Sequence, residues 1–158
     1  MKRSVPVLTF VCILTILCAI SCKKSDTTAA EASTFKVDGG AAITADSANA
    51  VLYDYNGTRL MDVFVYKAGN EILEFHFAPT TGAKTAGTIF GTGSFLSYFE
   101  SPIVSYDSQS GSINVTTCDT IGNRIVGDFN FVAKQYPYTG SITRTITEGH
   151  IVVTKLTR

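Results

Sequence analysis

From Thr34 to the C-terminus, no long stretch places apolar residues at helical spacing, while Gly, Asn, Asp and Ser recur at intervals suited to short strands. That punctuation excludes a helix bundle and leaves no helical segments for parallel crossovers, so the chain must bury its apolar residues in antiparallel sheets. It has the material to do so. Of 158 residues, 45% are hydrophobic and 16% charged, with ten Phe and seven Tyr, which supports one globular domain rather than a disordered chain. About ten strands are too many for one flat sheet of this length, so the expected fold is all-β: an antiparallel β-sandwich or a partly closed barrel of about ten short strands.

Several hairpins can be placed. Gly39-Gly40 joins Phe35–Asp38 to Ala41–Thr44, and Asn56-Gly57 joins Val51–Tyr55 to Arg59–Tyr66. A Gly69-Asn70 turn would set Tyr66 opposite Leu73 and Phe64 opposite Phe75, an aromatic face turned inward, with Val63 and Val65 on the other side. Gly111 and Glu148-Gly149 read as further turns, the first between Ile103–Tyr106 and Ser112–Thr117, the second between Ile142–Thr147 and His150–Leu156. In Arg124–Ala133, alternation puts Ile125, Gly127, Phe129, Phe131 and Ala133 on one face. Phe129 and Phe131 are the expected core anchors, and Gly127 marks a bulge or a close approach.

The N-terminus reads as an address. Lys2 and Arg3 precede an uncharged run from Val5 to Ile20, the layout of a secretory signal, shorter than the roughly 20 apolar residues of a membrane span. The quartet Ala19-Ile20-Ser21-Cys22 resembles a bacterial lipobox, which implies acylation of Cys22 and cleavage before it. The expected organisation is a lipoprotein signal peptide over 1–21, a lipidated Cys22 with a flexible tether over 22–33, and a single all-β domain over 34–158. Cys12 and Cys18 then leave with the signal, and Cys118 is the one thiol in the domain, so no intrachain disulfide is expected. Anchoring through acyl chains makes the membrane a partner. With Lys2 and Arg3 removed the remaining charge is slightly acidic, which offers nothing to nucleic acid.

The domain resembles the small lipoproteins of unknown function found in Bacteroidota. Its opening has Phe35, Asp38 and Gly39, and its later parts are Gly111-Ser112-Ile113, Gly127-Asp128-Phe129-Asn130-Phe131 and Thr147-Glu148-Gly149-His150-Ile151. Ile151 stands where that pattern has an aromatic, and Ala42 where one is common. The resemblance implies fold and address, with no activity attached. It also implies O-glycan attachment at Asp-Ser/Thr triplets, here at Thr27, Ser47 and Thr120, following Asp26, Asp46 and Asp119. Lys23-Lys24-Ser25-Asp26 lacks the acidic cluster of surface-exported relatives. The expected location is therefore the outer membrane, periplasmic face favoured over cell surface, or the periplasmic face of the inner membrane.

Chemistry is hard to assemble from what remains. His76 and Glu74 share a strand face but read as a polar pair on an exposed surface, because no third group is at hand for a dyad or a metal. His150 and Cys118 lie on distant segments. Gly91-Thr92-Gly93-Ser94 lacks the nucleophile-elbow spacing, Gly82–Gly87 lacks the Lys-Ser/Thr of a phosphate loop, and Asp54–Gly57 departs from a calcium loop. No catalytic residue, metal or cofactor is assigned, and a non-enzyme is expected. Tyr136 and Tyr138, on a loop stiffened by Pro137, are the candidate ligand-binding residues. They would flank a concave pocket for a glycan or small molecule, or sit on a flatter apolar patch for a protein partner; the absence of Trp weakens the glycan reading. Of Tyr98 and Phe99, only one can face the core. The chain thus reads as an exported, lipid-anchored binding or scaffolding protein, with a glycan or small-molecule accessory protein as the alternative and a hydrolase as a more remote one.

Overall fold

The computed structural model describes residues 31–88 and 93–158. The expected signal segment, Cys22 and Thr27 lie outside the described residues, as do Gly91 and Thr92. Among the described residues there is no helix, and the elements are β1 (Thr34–Val37), β2 (Ile43–Thr44), β3 (Ser47–Tyr55), β4 (Thr58–Lys67), β5 (Asn70–Phe77), β6 (Gly82–Thr85), β7 (Phe95–Ser101), β8 (Val104–Asp119), β9 (Arg124–Gln135), β10 (Thr143–Val153) and β11 (Leu156–Thr157).

They form one curled sheet in the order β11-β3-β4-β5-β7-β8-β9-β10-β1-β2, and β6 pairs with β8 beyond the point where β7 leaves it. The architecture is a half-barrel. Of the two forms left open by the sequence it is the partly closed barrel, since all strands among the described residues join one curled sheet. Partial closure comes from the chain end: two residues after β10, β11 runs parallel to β3 at the far end of the strand order, and the Ala50 amide donates to the Lys155 carbonyl at 2.9 Å. All other strand pairs are antiparallel.

The concave side is filled. Met61, Val63 and Val65 of β4, Leu73, Phe75 and Phe77 of β5, Ile113 and Val115 of β8, and Ile125, Phe129, Phe131 and Ala133 of β9 meet in one core. Phe75 packs edge-on against Phe129 at 4.8 Å between ring centres, and Phe35 closes on Phe129 at 6.4 Å. The alternation expected in β9 is observed, with Phe129 and Phe131 buried. Gly127 sits where an added Cβ would lie 2.7 Å from the Asn114 carbonyl oxygen, beside a register shift in β8. Both readings of that glycine hold together.

The turn assignments are corrected in part. The Asn56-Gly57 turn is as expected, with Tyr55 paired to Thr58 and positive φ at both residues. The next hairpin, however, turns at Ala68-Gly69 rather than Gly69-Asn70, which shifts the pairing next to the turn by two residues and by itself leaves the faces unchanged. The bulge between Val65 and Tyr66 takes one residue back, so that Val65 faces Leu73, Val63 faces Phe75, and Phe64 faces Glu74, a net slip of one. A slip of one residue exchanges the two faces, so valines point into the core and Phe64 points out. Gly111 and Glu148-Gly149 are not turns either; they lie inside β8 and β10 at or near register shifts, and β8, β9 and β10 are long strands rather than short ones.

Residues 31–33, assigned from sequence to the tether, are docked. Ser33 is buried, its Oγ accepts the Val152 amide at 2.9 Å, and Glu31 bridges Arg124 at 2.6 Å and His150 Nε2 at 3.1 Å.

Candidate functional site: the outer face of the half-barrel

A filled interior moves any binding to the outer surface and the loops. The loop from Tyr136 to Ile142 between β9 and β10 carries the two tyrosines. Tyr136 is 60% exposed and Tyr138 40%, and their rings meet edge to face with centres 5.4 Å apart. They form one ridge rather than two walls of a pocket. The loop is pinned at its base: the Gln135 amide donates to Ile142 O, the Tyr136 amide to Ser105 O, both at 3.0 Å, and the Tyr138 amide to Gln135 O at 2.8 Å. The Tyr138 hydroxyl donates to Asp107 Oδ2, and burial together with that carboxylate raises the phenol to about 12. Two further aliphatic side chains are exposed nearby in the strand order: Ile142 at the end of the loop, and Ile103, 93% exposed, on the β7–β8 turn two residues before Ser105, whose carbonyl holds the loop.

Asp107 connects this loop to a polar row across the sheet. Its other oxygen accepts the Ser97 hydroxyl at 2.8 Å, and Ser97 is the cross-strand neighbour of Glu74, which in turn faces Phe64. Glu74 has an elevated pKa of about 7, first because burial disfavours its charge and then because Glu71, Asp62 and Asp107 repel it. Burial also raises Glu71. Phe64, Glu71, Glu74, Phe99 and Pro102 line a hollow of about 430 Å³ here. Tyr98 points the other way, against Phe35 and Tyr106 in the interior, so the pair Tyr98-Phe99 divides between the faces as alternation requires.

His76 also lies on this face, but not as an exposed partner of Glu74. It is 1% exposed, and its Nδ1 donates to Asp62 Oδ1 at 2.6 Å; the Tyr53 hydroxyl donates to the same oxygen at 3.2 Å. The register Asp62↔His76 makes this contact, and it could not be read while the hairpin was misplaced by one residue. An imidazole so enclosed cannot reach a substrate.

The other sequence candidates stay apart. His150 lies between Asp128 at 2.8 Å and Glu31, and the Asp128 hydrogen bond is the main reason its pKa is raised. Cys118 is a half-buried free thiol whose pKa burial raises, the reverse of nucleophile activation. Asp54 pairs with Arg59 across the β3–β4 hairpin, and Gly82–Thr85 is strand β6. Ser47 is exposed at the start of β3, where neighbouring Asp46 accepts the Ala68 amide at 2.6 Å. Thr120 opens the β8–β9 turn, in which Asp119 Oδ1 accepts the amides of Ile121 and Gly122 at 3.0 and 2.8 Å. Both aspartates thus have turn-forming roles of their own. Among the described residues, no cluster of His, Cys, Asp and Glu could hold a metal ion.

Sequence reasoning singled out Tyr136 and Tyr138, placed Glu74 on an exposed face and marked Phe99 as half of an aromatic pair that must split, but turned Phe64 inward and missed Glu71 and Asp107. Comparison with known proteins places no relative beside this site: no family model matches the chain, and neither a curated protein nor a solved structure matches it.

Proposed function

We propose that the protein is a lipid-anchored binding or scaffolding protein, held through Cys22 at the periplasmic face of the outer membrane, whose β9–β10 loop docks a protein partner. The observation that carries this reading is the ridge of Tyr136 and Tyr138, with exposed Ile142 at the end of the same loop: apolar side chains on a loop whose backbone is already bonded, so little entropy is lost on docking. The reading is of a non-enzyme. His76 is enclosed by Asp62 and Tyr53, and burial raises the Cys118 thiol more than Lys84 lowers it.

A glycan or small-molecule accessory role is the second reading, supported by the two tyrosines, but their edge-to-face contact favours a ridge over a sugar platform. A thermal-shift panel on the full chain in non-ionic detergent separates the two. A glycan or cell-wall fragment present at about a hundredfold its Kd adds roughly 2.7 kcal/mol, a shift of several degrees. The protein-partner reading predicts that no panel member gives a shift that Tyr136→Ala abolishes; one that does replaces it with the glycan reading. An intact mass without acyl chains on Cys22 would overturn the anchor.

A further inference from the structure

The hollow on β5 lies between side chains of its two neighbours. β4 supplies Phe64, β7 supplies Phe99 with Pro102 just beyond its end, and Glu71 and Glu74 come from β5 itself. Strands on either side of a central one are about 10 Å apart, so the two phenyl groups stand on opposite flanks of the carboxylates with room for one small group between them. Gly69 at the hairpin above contributes no side chain and leaves the hollow open. We propose that this hollow binds an alkylammonium group, held by the carboxylates of Glu71 and Glu74 and by the rings of Phe64 and Phe99.

Three observations point to that chemistry. First, among the described residues no Lys, Arg or His forms an ion pair with Glu71 or Glu74, whereas Asp54, Glu100 and Glu148 each have a Lys or Arg nitrogen within 4.0 Å. Asp62 on β4 and Asp107 on β8 add repulsion, and Glu74 carries the cost. Half-burying two like charges does nothing for the fold, and a bound cation would offset both burial and repulsion. Second, the flanks are aromatic, and ring faces attract weakly hydrated organic cations. Third, these residues do not form a metal-holding cluster, and two carboxylates fall short of the six to eight oxygens that calcium takes. A neutral ligand would leave the charges as they are. The inference does not depend on the tyrosine loop docking a protein, and its test leaves Tyr136 untouched.

The test is calorimetric titration of the full chain in non-ionic detergent at pH 8 with choline, with its neutral isostere 3,3-dimethylbutan-1-ol, and with calcium chloride. Saturable choline binding is expected, with the alcohol weaker by about tenfold or more, and with Glu74→Gln and Phe99→Leu each weakening choline by about tenfold. Melting temperatures of both variants are measured alongside, and Glu74→Gln, which removes a destabilising charge, should melt no lower than the parent. The proposal is overturned by equal binding of the alcohol, by calcium binding tighter than choline through Glu74, by choline binding that Glu74→Gln leaves unchanged, or by no saturable choline binding on folded protein.

Discussion

Gly127 shows how much one missing methyl group sets. With its Cβ position 2.7 Å from Asn114 O and 3.1 Å from Val115 Cα, it brings β9 onto the bulged part of β8, and nothing in that backbone can swing aside. Gly127→Ala should therefore cost about 1–3 kcal/mol of stability in chemical denaturation, whereas Gly93→Ala, with open space around it, should stay within about 0.5 kcal/mol. Gly127, Phe129 and Phe131 were legible because strict alternation runs through β9 from Gly127 to Ala133; before it, Val126 is buried on the outer face. His76 was not. A polar residue on an outward face reads as solvated, and its burial depends on Tyr53 and Asp62 arriving from two other strands. That is a property of pairing, which one strand's sequence does not carry.

At the scale of the element, the β4–β5 hairpin decides which face Phe64 occupies. Ala68 takes φ 51° and Gly69 φ 78°, a turn that favours Asn or Gly at its first position. Sequence reasoning placed the turn one residue later, at Gly69-Asn70. Asp46 helps to hold Ala68, accepting its amide at 2.6 Å. Since a left-handed alanine costs about 1 kcal/mol, Ala68→Gly should raise stability by about that amount without moving the register, observable as an unchanged Val63–Phe75 contact by NMR. The same ambiguity explains the long strands. A glycine in a polar run can be a turn or a bulge, and Gly111, with φ 131° and the Asn130–Phe131 backbone against its α-carbon, is the second. Hairpin positions were thus readable where Asn-Gly fixed them, and misread where a glycine served a continuing strand.

At the scale of the whole molecule, the outer face carries an electrostatic cost with a definite sign. Glu74 titrates near 7 in the folded protein against 4.5 when unfolded, so between those values the folded state holds a proton that the unfolded state has released. Stability should fall as pH rises through that window. Glu74→Gln should flatten the slope, being more stable than the parent at pH 8 and equal to it near pH 4, as read from pH-dependent melting. His150 tilts the same way: its pKa is raised, so its contribution is full below 6.5 and is lost as pH rises through the folded value.

The filled half-barrel leaves partner recognition to the surface, and the tyrosine ridge is where this account places it. The most direct test puts a photoreactive phenylalanine analogue at position 136 in the lipidated chain in its native membrane, and compares it with the same analogue at Tyr55, equally exposed at 60% on the distant β3–β4 hairpin. A discrete protein adduct from position 136 and none from position 55 is the predicted result. Adducts of equal yield from both positions, or none from 136, would contradict the claim that this loop docks a protein.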